Sequence, residues 1–182
     1  EAWSEIGAIP ADAVARIREH ATPPTPERVA EIEERTHHDL AAFVDAVADQ
    51  LGDDGRWFHF GLTSSDVLDT ALALQSREAC LLILDGLQSA QTAVVRRAEE
   101  HRATVMVGRT HGVHAEPITF GVKLAGWAFE LERESDRIER ALAGISVGKI
   151  SGAVGVYGGG DPEVLCSPTV SAERIPDAPQ PL

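Results

Sequence analysis

Cysteine is scarce in this sequence, which has only Cys80 and Cys166 among its 182 residues. They form neither a C-x-x-C pair nor a regular disulfide spacing, which excludes a disulfide scaffold and predicts a reduced, cytoplasmic compartment. No run of about 18 apolar residues occurs, and residues Glu1 to Ile9 lack a basic start, so the sequence predicts neither a membrane span nor a signal peptide. The first residue is not Met, from which we expect that part of a longer protein is missing.

Basic residues are also few, with 16 Lys and Arg against 29 Asp and Glu and a formal net charge of −13. Such a surface repels the phosphates of nucleic acids and anionic lipids, so polymeric nucleic acid and membranes are not expected partners. A small anionic substrate is still possible, because a few basic groups and helix N-termini can gather locally. The composition, 43% hydrophobic and 25% charged, is that of a globular chain of one domain or two small ones.

Apolar residues recur at helical spacing in four segments, which predicts an all-α fold. The predicted helices cover residues 13–21, 25–51, 63–98 and 117–143, and a polar, glycine-containing crossing occupies 104–116. The third helix would be about 50 Å long, too long to be enclosed by its own chain. We therefore expect an extended helical bundle that needs other chains or further sequence to complete it.

Several common sites do not fit the sequence. The segment Gly144–Ile150 lacks the spacing of a phosphate-binding P-loop, and the glycines after it do not form a G-x-G-x-x-G motif. The seven histidines include the neighbours His37 and His38, but no cysteine ligand or H-E-x-x-H motif accompanies them. The sequence therefore predicts neither a dinucleotide site nor a metal site.

The remaining candidates are polar residues at the ends of helices. The hydroxyls of Thr63 and Ser64 stand at the head of the long helix, where free N–H groups can bind an anion. Histidines can exchange protons near neutral pH, and they occur in the predicted mid-helix pair His38-Asp39, in the aromatic segment at His59 and in the crossing at His111. The alternatives are that Thr63 only caps the helix and that His59 is a hydrogen-bonded core residue.

Two long motifs, residues 59–71 and 108–121, resemble the adenylosuccinate lyases of the aspartase/fumarase superfamily. Two shorter segments, 33–39 and 148–155, are similar to the same family, and the resemblance runs from residue 1 to about Val164. Carboxymuconate cycloisomerases of the superfamily share part of the first motif, but the second motif is more similar to the adenylosuccinate branch.

The resemblance implies a β-elimination that releases fumarate from a nucleotide substrate, without a cofactor. Adenylosuccinate would give AMP, and the succinylated aminoimidazole carboxamide ribotide would give the carboxamide ribotide, both in purine biosynthesis. It implies that His111 is the general acid and His59 a supporting catalytic group. It places six further residues at the substrate: His37, His38, Asp39, Thr63, Ser64 and Thr110.

The resemblance also implies an architecture. Residues 1–62 would form an N-terminal helical domain and residues 63–164 part of a central helical bundle of a homotetramer. Residues 165–182 match nothing in the family and are predicted to be a disordered tail. The family's general base, a serine in a mobile loop, has no counterpart in these 182 residues. The alternative reading is therefore a non-catalytic helical oligomerisation fragment.

Overall fold

The computed structural model describes residues 1–157, which form six α-helices, one 3-10 helix and a two-stranded hairpin. The elements are α1 (Ala2–Glu5), α2 (Ala11–His20), α3 (Pro26–Thr36), α4 (Asp39–Leu51), the 3-10 helix (Gly52–Trp57), α5 (Ser64–Glu100), β1 (Val105–Thr110), β2 (Val113–Thr119) and α6 (Phe120–Ile145). The predominance of helix confirms the predicted fold class. The predicted tail, 165–182, lies outside the described residues.

The chain divides into two compact units, and α5 runs from one into the other. The first unit holds Glu1–Ala73 together with the described residues from Val147 onward, and the second holds Leu74–Ser146. Among the described residues, no helix is both long and apolar enough to cross a membrane.

In the first unit, α3 and α4 pack through small and branched side chains. Ile32 from α3 meets Ala42 and Ala46 from α4, with Val29 against them. Ala42 is completely buried, so the two helices approach closely at that point. The N-terminus of α3 follows the sequence pattern, because the Thr25 hydroxyl accepts the Arg28 N–H at 3.2 Å and Pro26 takes the first helical position.

The predicted single helix over 25–51 is wrong, because it breaks between α3 and α4. His37 adopts a left-handed backbone with φ of 51° and ends α3. His38 then becomes the N-cap of α4, so the prediction that the His38-Asp39 pair lies mid-helix is also wrong. No glycine or proline marks the break, and the apolar spacing continues on both sides of it. The local sequence pattern therefore does not indicate that a helix ends at this point.

The long helix was predicted closely. It spans 37 residues, Ser64–Glu100, which corresponds to roughly 55 Å. Its buried residues in this chain are only Asp66 and Ala73. Large apolar side chains of α5 and α6 are instead exposed, among them Leu68, Leu72, Leu74, Leu81, Leu82, Ile83, Val122, Trp127 and Phe129.

The predicted crossing at 104–116 is a β-hairpin. β1 pairs antiparallel with β2, with Val105 opposite Thr119 and Thr110 opposite Val113. The connecting residues His111 and Gly112 both have positive φ, 51° and 76°, as a two-residue type I′ turn requires. The sequence has His-Gly at the turn instead of the usual Asn-Gly, so the hairpin was not predicted.

Helix α6 begins at Phe120, so the prediction that Pro117 opens it is wrong. Pro117 lies in β2 opposite Val107, where a two-stranded ribbon tolerates proline on its unpaired side. The N-cap of α6 is Thr119, whose hydroxyl accepts the Val122 N–H at 3.2 Å. At the base of the hairpin the Phe120 N–H donates to the Thr104 carbonyl at 2.8 Å, and the Gly121 N–H donates to the His101 carbonyl at 3.0 Å.

Candidate active site

The junction of α3 and α4 presents three of the predicted site residues, all exposed: His37, His38 and Asp39. The Nδ1 atom of His38 accepts the Ala41 N–H at 3.3 Å, so in the neutral ring the proton lies on Nε2. The same Nδ1 lies 3.2 Å from Asp39 Oδ1, so a protonated ring can donate to that carboxylate instead. The junction therefore offers an imidazole whose tautomer is set by the start of a helix.

His59 lies on the turn that leads from the 3-10 helix toward α5, with a left-handed φ of 66°. Aromatic rings pack at this turn. The Phe60 ring meets the Trp3 and Trp57 rings edge to face, with ring centroids 5.3 Å and 5.6 Å apart. Gly61, with φ of 77°, lets the chain pass the Trp3 indole, because a Cβ there would lie 2.8 Å from the ring.

His59 lines a cavity of about 380 Å³ together with Val14, Ile17, Trp57 and Ile150. Burial lowers the pKa of His59 below its ordinary value, and the nearby negative charge of Asp66 partly offsets this. A lowered pKa keeps the ring neutral at pH 7.

Thr63 and Ser64 are half-buried at the start of α5. The Thr63 N–H donates to Asp66 Oδ2 at 2.9 Å, which is one half of a capping box. Asp66 therefore caps the start of α5. Its side chain, however, does more than cap the helix.

Asp66 also binds the segment that follows α6 in sequence. Its Oδ1 accepts from Lys149 Nζ at 2.7 Å and from the Gly152 N–H at 3.1 Å. Burial alone would raise the pKa of Asp66, but the hydrogen bonds from Lys149 and from the two backbone amides outweigh it and lower that pKa. Sequence reasoning missed this contact, because 83 residues separate Asp66 from Lys149 and only the weak similarity of 148–155 to a family segment pointed there.

Thr110 and His111 stand at the tip of the hairpin, in the second unit, and both are exposed. Thr110 forms the last cross-strand pair, with Val113, and His111 is the first turn residue. The turn holds the His111 backbone in the left-handed region, and its side chain is open to solvent.

The structure thus gathers His59, Thr63 and Ser64 on one turn before and at the start of α5. His37, His38 and Asp39 lie in the same unit at the junction of α3 and α4, and Thr110 and His111 belong to the other unit. Their roles in catalysis and binding remain predictions. Among residues 1–157, no three His, Cys, Asp or Glu side chains converge in a way that could hold a metal ion.

Comparison with known proteins gives the family. The sequence model of a family described as lyase matches residues 4–167. The chain belongs to this lyase family. Curated relatives include an adenylosuccinate lyase from Synechocystis sp., 54% identical over 164 residues, and one from Bacillus subtilis, 50% identical over 164 residues. Each alignment covers 90% of this chain and 38% of the relative.

Solved structures of lyase superfamily members have the same fold. A fumarate lyase from Mesorhizobium sp. BNC1 matches with a TM-score of 0.81 and 34% identity, and the match covers 87% of this chain and 38% of that one. A β-carboxy-cis,cis-muconate cycloisomerase from Acinetobacter calcoaceticus matches with a TM-score of 0.78 and 30% identity over the same shares. The chain spans about 38% of the length of the curated relatives above.

Proposed function

We propose that this chain carries the general acid and part of the substrate-binding surface of an adenylosuccinate lyase. The substrates are adenylosuccinate, which gives AMP and fumarate, and the succinylated aminoimidazole carboxamide ribotide, which gives the carboxamide ribotide and fumarate. The proposal places the chain in cytoplasmic purine biosynthesis. Identity of 50–54% to adenylosuccinate lyases, against 30% to a cycloisomerase, favours this substrate class over the cycloisomerase reaction.

In the proposed reaction a base removes a proton from the succinyl Cβ, the electron pair forms the new C=C bond and the C–N bond breaks. The departing nitrogen takes a proton from a general acid, and a group of this kind typically contributes ~10²–10⁴ in rate. We assign that proton donor to His111. No cofactor enters the reaction. The general base is not assigned to this chain, because the family's serine loop has no counterpart in its sequence.

The main observation that supports His111 as the acid is a backbone conformation that it shares with two other histidines. Four residues other than glycine have positive φ in the described part of the chain, and three of them are His37, His59 and His111. A left-handed backbone is costly for residues other than glycine, and such strain concentrates at functional sites. Three histidines with this conformation, all within segments that resemble the lyase motifs, support a catalytic role for this set.

We propose that Thr63, Ser64, His37, His38 and Asp39 of the first unit bind the substrate, and that Thr110 of the second unit also binds it. The hydroxyls at the start of α5 lie where unpaired backbone N–H groups and the helix dipole favour an anion, such as a succinyl carboxylate. His59, kept neutral by burial, supports the site as a hydrogen-bonding group.

We further propose that the chain works in a homo-oligomer, a tetramer by family resemblance. The apolar side chains exposed on α5 and α6 are the supporting observation: Leu82 is 76% exposed and Phe129 60%. Exposed apolar surface on two long helices is typical of an interface. Residues 1–62 and 63–164 are proposed as the N-terminal and central domains of that assembly.

The test is fumarate release from adenylosuccinate by the purified chain, alone and mixed with the Bacillus subtilis relative in which the matching acid histidine has been replaced. Because this chain has no counterpart of the family's serine base, we expect activity in the mixture. We expect it with the unaltered chain and not with His111→Asn, because asparagine tolerates the left-handed backbone but cannot act as the acid. His20→Asn, at the exposed end of α2, is the matched control and should behave as the unaltered chain.

Equal activity of the unaltered chain and His111→Asn would overturn the assignment of the acid. Absence of activity from the chain, both alone and in the mixture, would overturn its catalytic role. That result would instead support the alternative, a non-catalytic helical oligomerisation fragment.

A further inference from the structure

Asp66 is a buried charged side chain at the start of α5, with 4% of its surface exposed. It accepts three hydrogen bonds: one from the Thr63 N–H that precedes α5, one from Lys149 Nζ and one from the Gly152 N–H. A buried carboxylate is costly unless it is paired and hydrogen-bonded, and here both conditions are met. The Asp66 side chain thus connects the backbone before α5 to the segment 148–152 by hydrogen bonds.

Lys149 forms hydrogen bonds through both its side chain and its backbone. Its Nζ donates to the Gly152 carbonyl at 2.7 Å as well as to Asp66. One turn further along α5, the Thr70 hydroxyl accepts the Lys149 N–H at 2.9 Å and donates to the Lys149 carbonyl at 3.2 Å. Two successive turns of α5 therefore fix the segment 148–152, which has no regular secondary structure of its own.

This fixed segment borders the cavity of His59. Ile150, the neighbour of Lys149, lines that cavity together with His59. The charged groups that face His59 are Asp66, whose charge acts on the ring, and Glu1 and Arg18 in the cavity wall, which form an ion pair with each other. The Asp66–Lys149 contact therefore controls both a wall of the cavity and a charge beside the imidazole.

We propose that Asp66 and Lys149 are a positioning pair, which holds the Thr63 backbone and the segment 148–152 in one geometry around His59. The proposal rests on the function proposed above, in which His59, Thr63 and Ser64 belong to the active site. Neither side chain is assigned contact with the substrate. They act through the residues that they fix.

The first test uses NMR on the full 182-residue chain. In Asp66→Asn we expect amide exchange at Thr63 and Gly152 to accelerate roughly tenfold or more, because two donors lose a charged acceptor. We also expect the pKa of His59 to fall, because the anion that raises it is gone. Asp69→Asn removes an exposed carboxylate of the same helix and is the matched control, with no change expected in either measurement.

The second test compares two replacements of Lys149. Lys149→Met removes the cation, and amide exchange at Gly152 should accelerate, whereas Lys149→Arg keeps a donor to Asp66 and should retain most of the protection. This comparison also decides the matter if Asp66→Asn does not fold. Unchanged exchange at Gly152 in Lys149→Met, or unchanged exchange and His59 titration in a folded Asp66→Asn, would overturn the proposal.

Fumarate release in the mixture with the altered Bacillus subtilis relative separates positioning from plain structural support. We expect Lys149→Met to lower the rate at saturating substrate at least tenfold and Lys149→Arg to restore it. Full activity of Lys149→Met would overturn the positioning role. If the unaltered chain is itself inactive, the proposed function fails and the pair has no catalytic geometry to position, but the NMR tests still show whether it fixes the surroundings of His59.

Discussion

A pair of glycine substitutions in α6 tests the packing at the base of the hairpin. Gly121 and Gly126 lie on the same helix, and each can be replaced by Ala. A Cβ on Gly121 would lie 2.5 Å from the Ala98 carbonyl oxygen and 2.8 Å from the Arg102 Cα, whereas a Cβ on Gly126 meets nothing within 4 Å. The same chemical change therefore has opposite consequences at two positions five residues apart.

The expected magnitudes follow from these contacts. In an exposed helix interior Ala is about 1 kcal/mol more favourable than Gly, so Gly126→Ala should stabilise the chain by up to that amount. At Gly121 the atoms in the way belong to the backbone and cannot rotate aside, and overpacking of this kind costs roughly 1–3 kcal/mol. The two variants should differ in their free energy of unfolding by about 2–4 kcal/mol.

The assay is urea unfolding followed by far-UV circular dichroism, with the midpoint compared at constant slope. Gly121→Ala should unfold at lower urea than the unaltered chain and Gly126→Ala at higher urea. If the two variants have the same midpoint, the close approach of α6 to the end of α5 is not present in solution. The hairpin that carries His111 would then lack the base described here.

Three further predictions can be checked by the same unfolding measurement. Thr119→Ala, which removes the cap of α6, should cost about 1 kcal/mol, and Thr119→Ser should cost little, whereas equal losses would refute the capping role. Gly61→Ala should cost about 1–3 kcal/mol, because its φ of 77° strains an L-residue and its methyl would meet Trp3, and a neutral result would contradict that contact. The pKa of Asp66 is lowered in the folded state, so its ionised carboxylate stabilises the fold fully above the ordinary aspartate pKa of about 3.9. This stabilisation is lost as the pH falls through the folded-state pKa. The Asp66→Asn variant should therefore lose less stability on acidification than the unaltered chain.

Sequence reasoning located the long helices because their signals are local and repeated. The start of α5 has hydroxyls and a carboxylate in capping positions, and apolar spacing then continues to the end of the helix. The break at His37 was missed because a histidine and not a glycine takes the left-handed backbone that ends α3. The hairpin was missed because its turn pairs a histidine with Gly112, a combination that is rare in type I′ turns.

The candidate residues can be named from the sequence, whereas the contacts that support them cannot. His59, Thr63 and Ser64 could be named from motif and helix position alone. The partnership of Asp66 with Lys149 depends on a contact between residues 83 apart, which no local periodicity reports. The lowered pKa of His59 likewise arises from burial beneath residues from several separate segments.

The β-hairpin has a consequence for how such a protein can change over evolution. β1 has six residues, so at about 3.3 Å per residue it carries His111 some 20 Å away from the base of the hairpin at Thr104. Adding or deleting one cross-strand pair would shift the imidazole by about 3 Å along the ribbon and turn it to the opposite face, whereas two pairs would restore the face at about 7 Å. The distance of His111 from the base of the hairpin is thus adjustable in discrete steps, without any change in the helices that flank the hairpin.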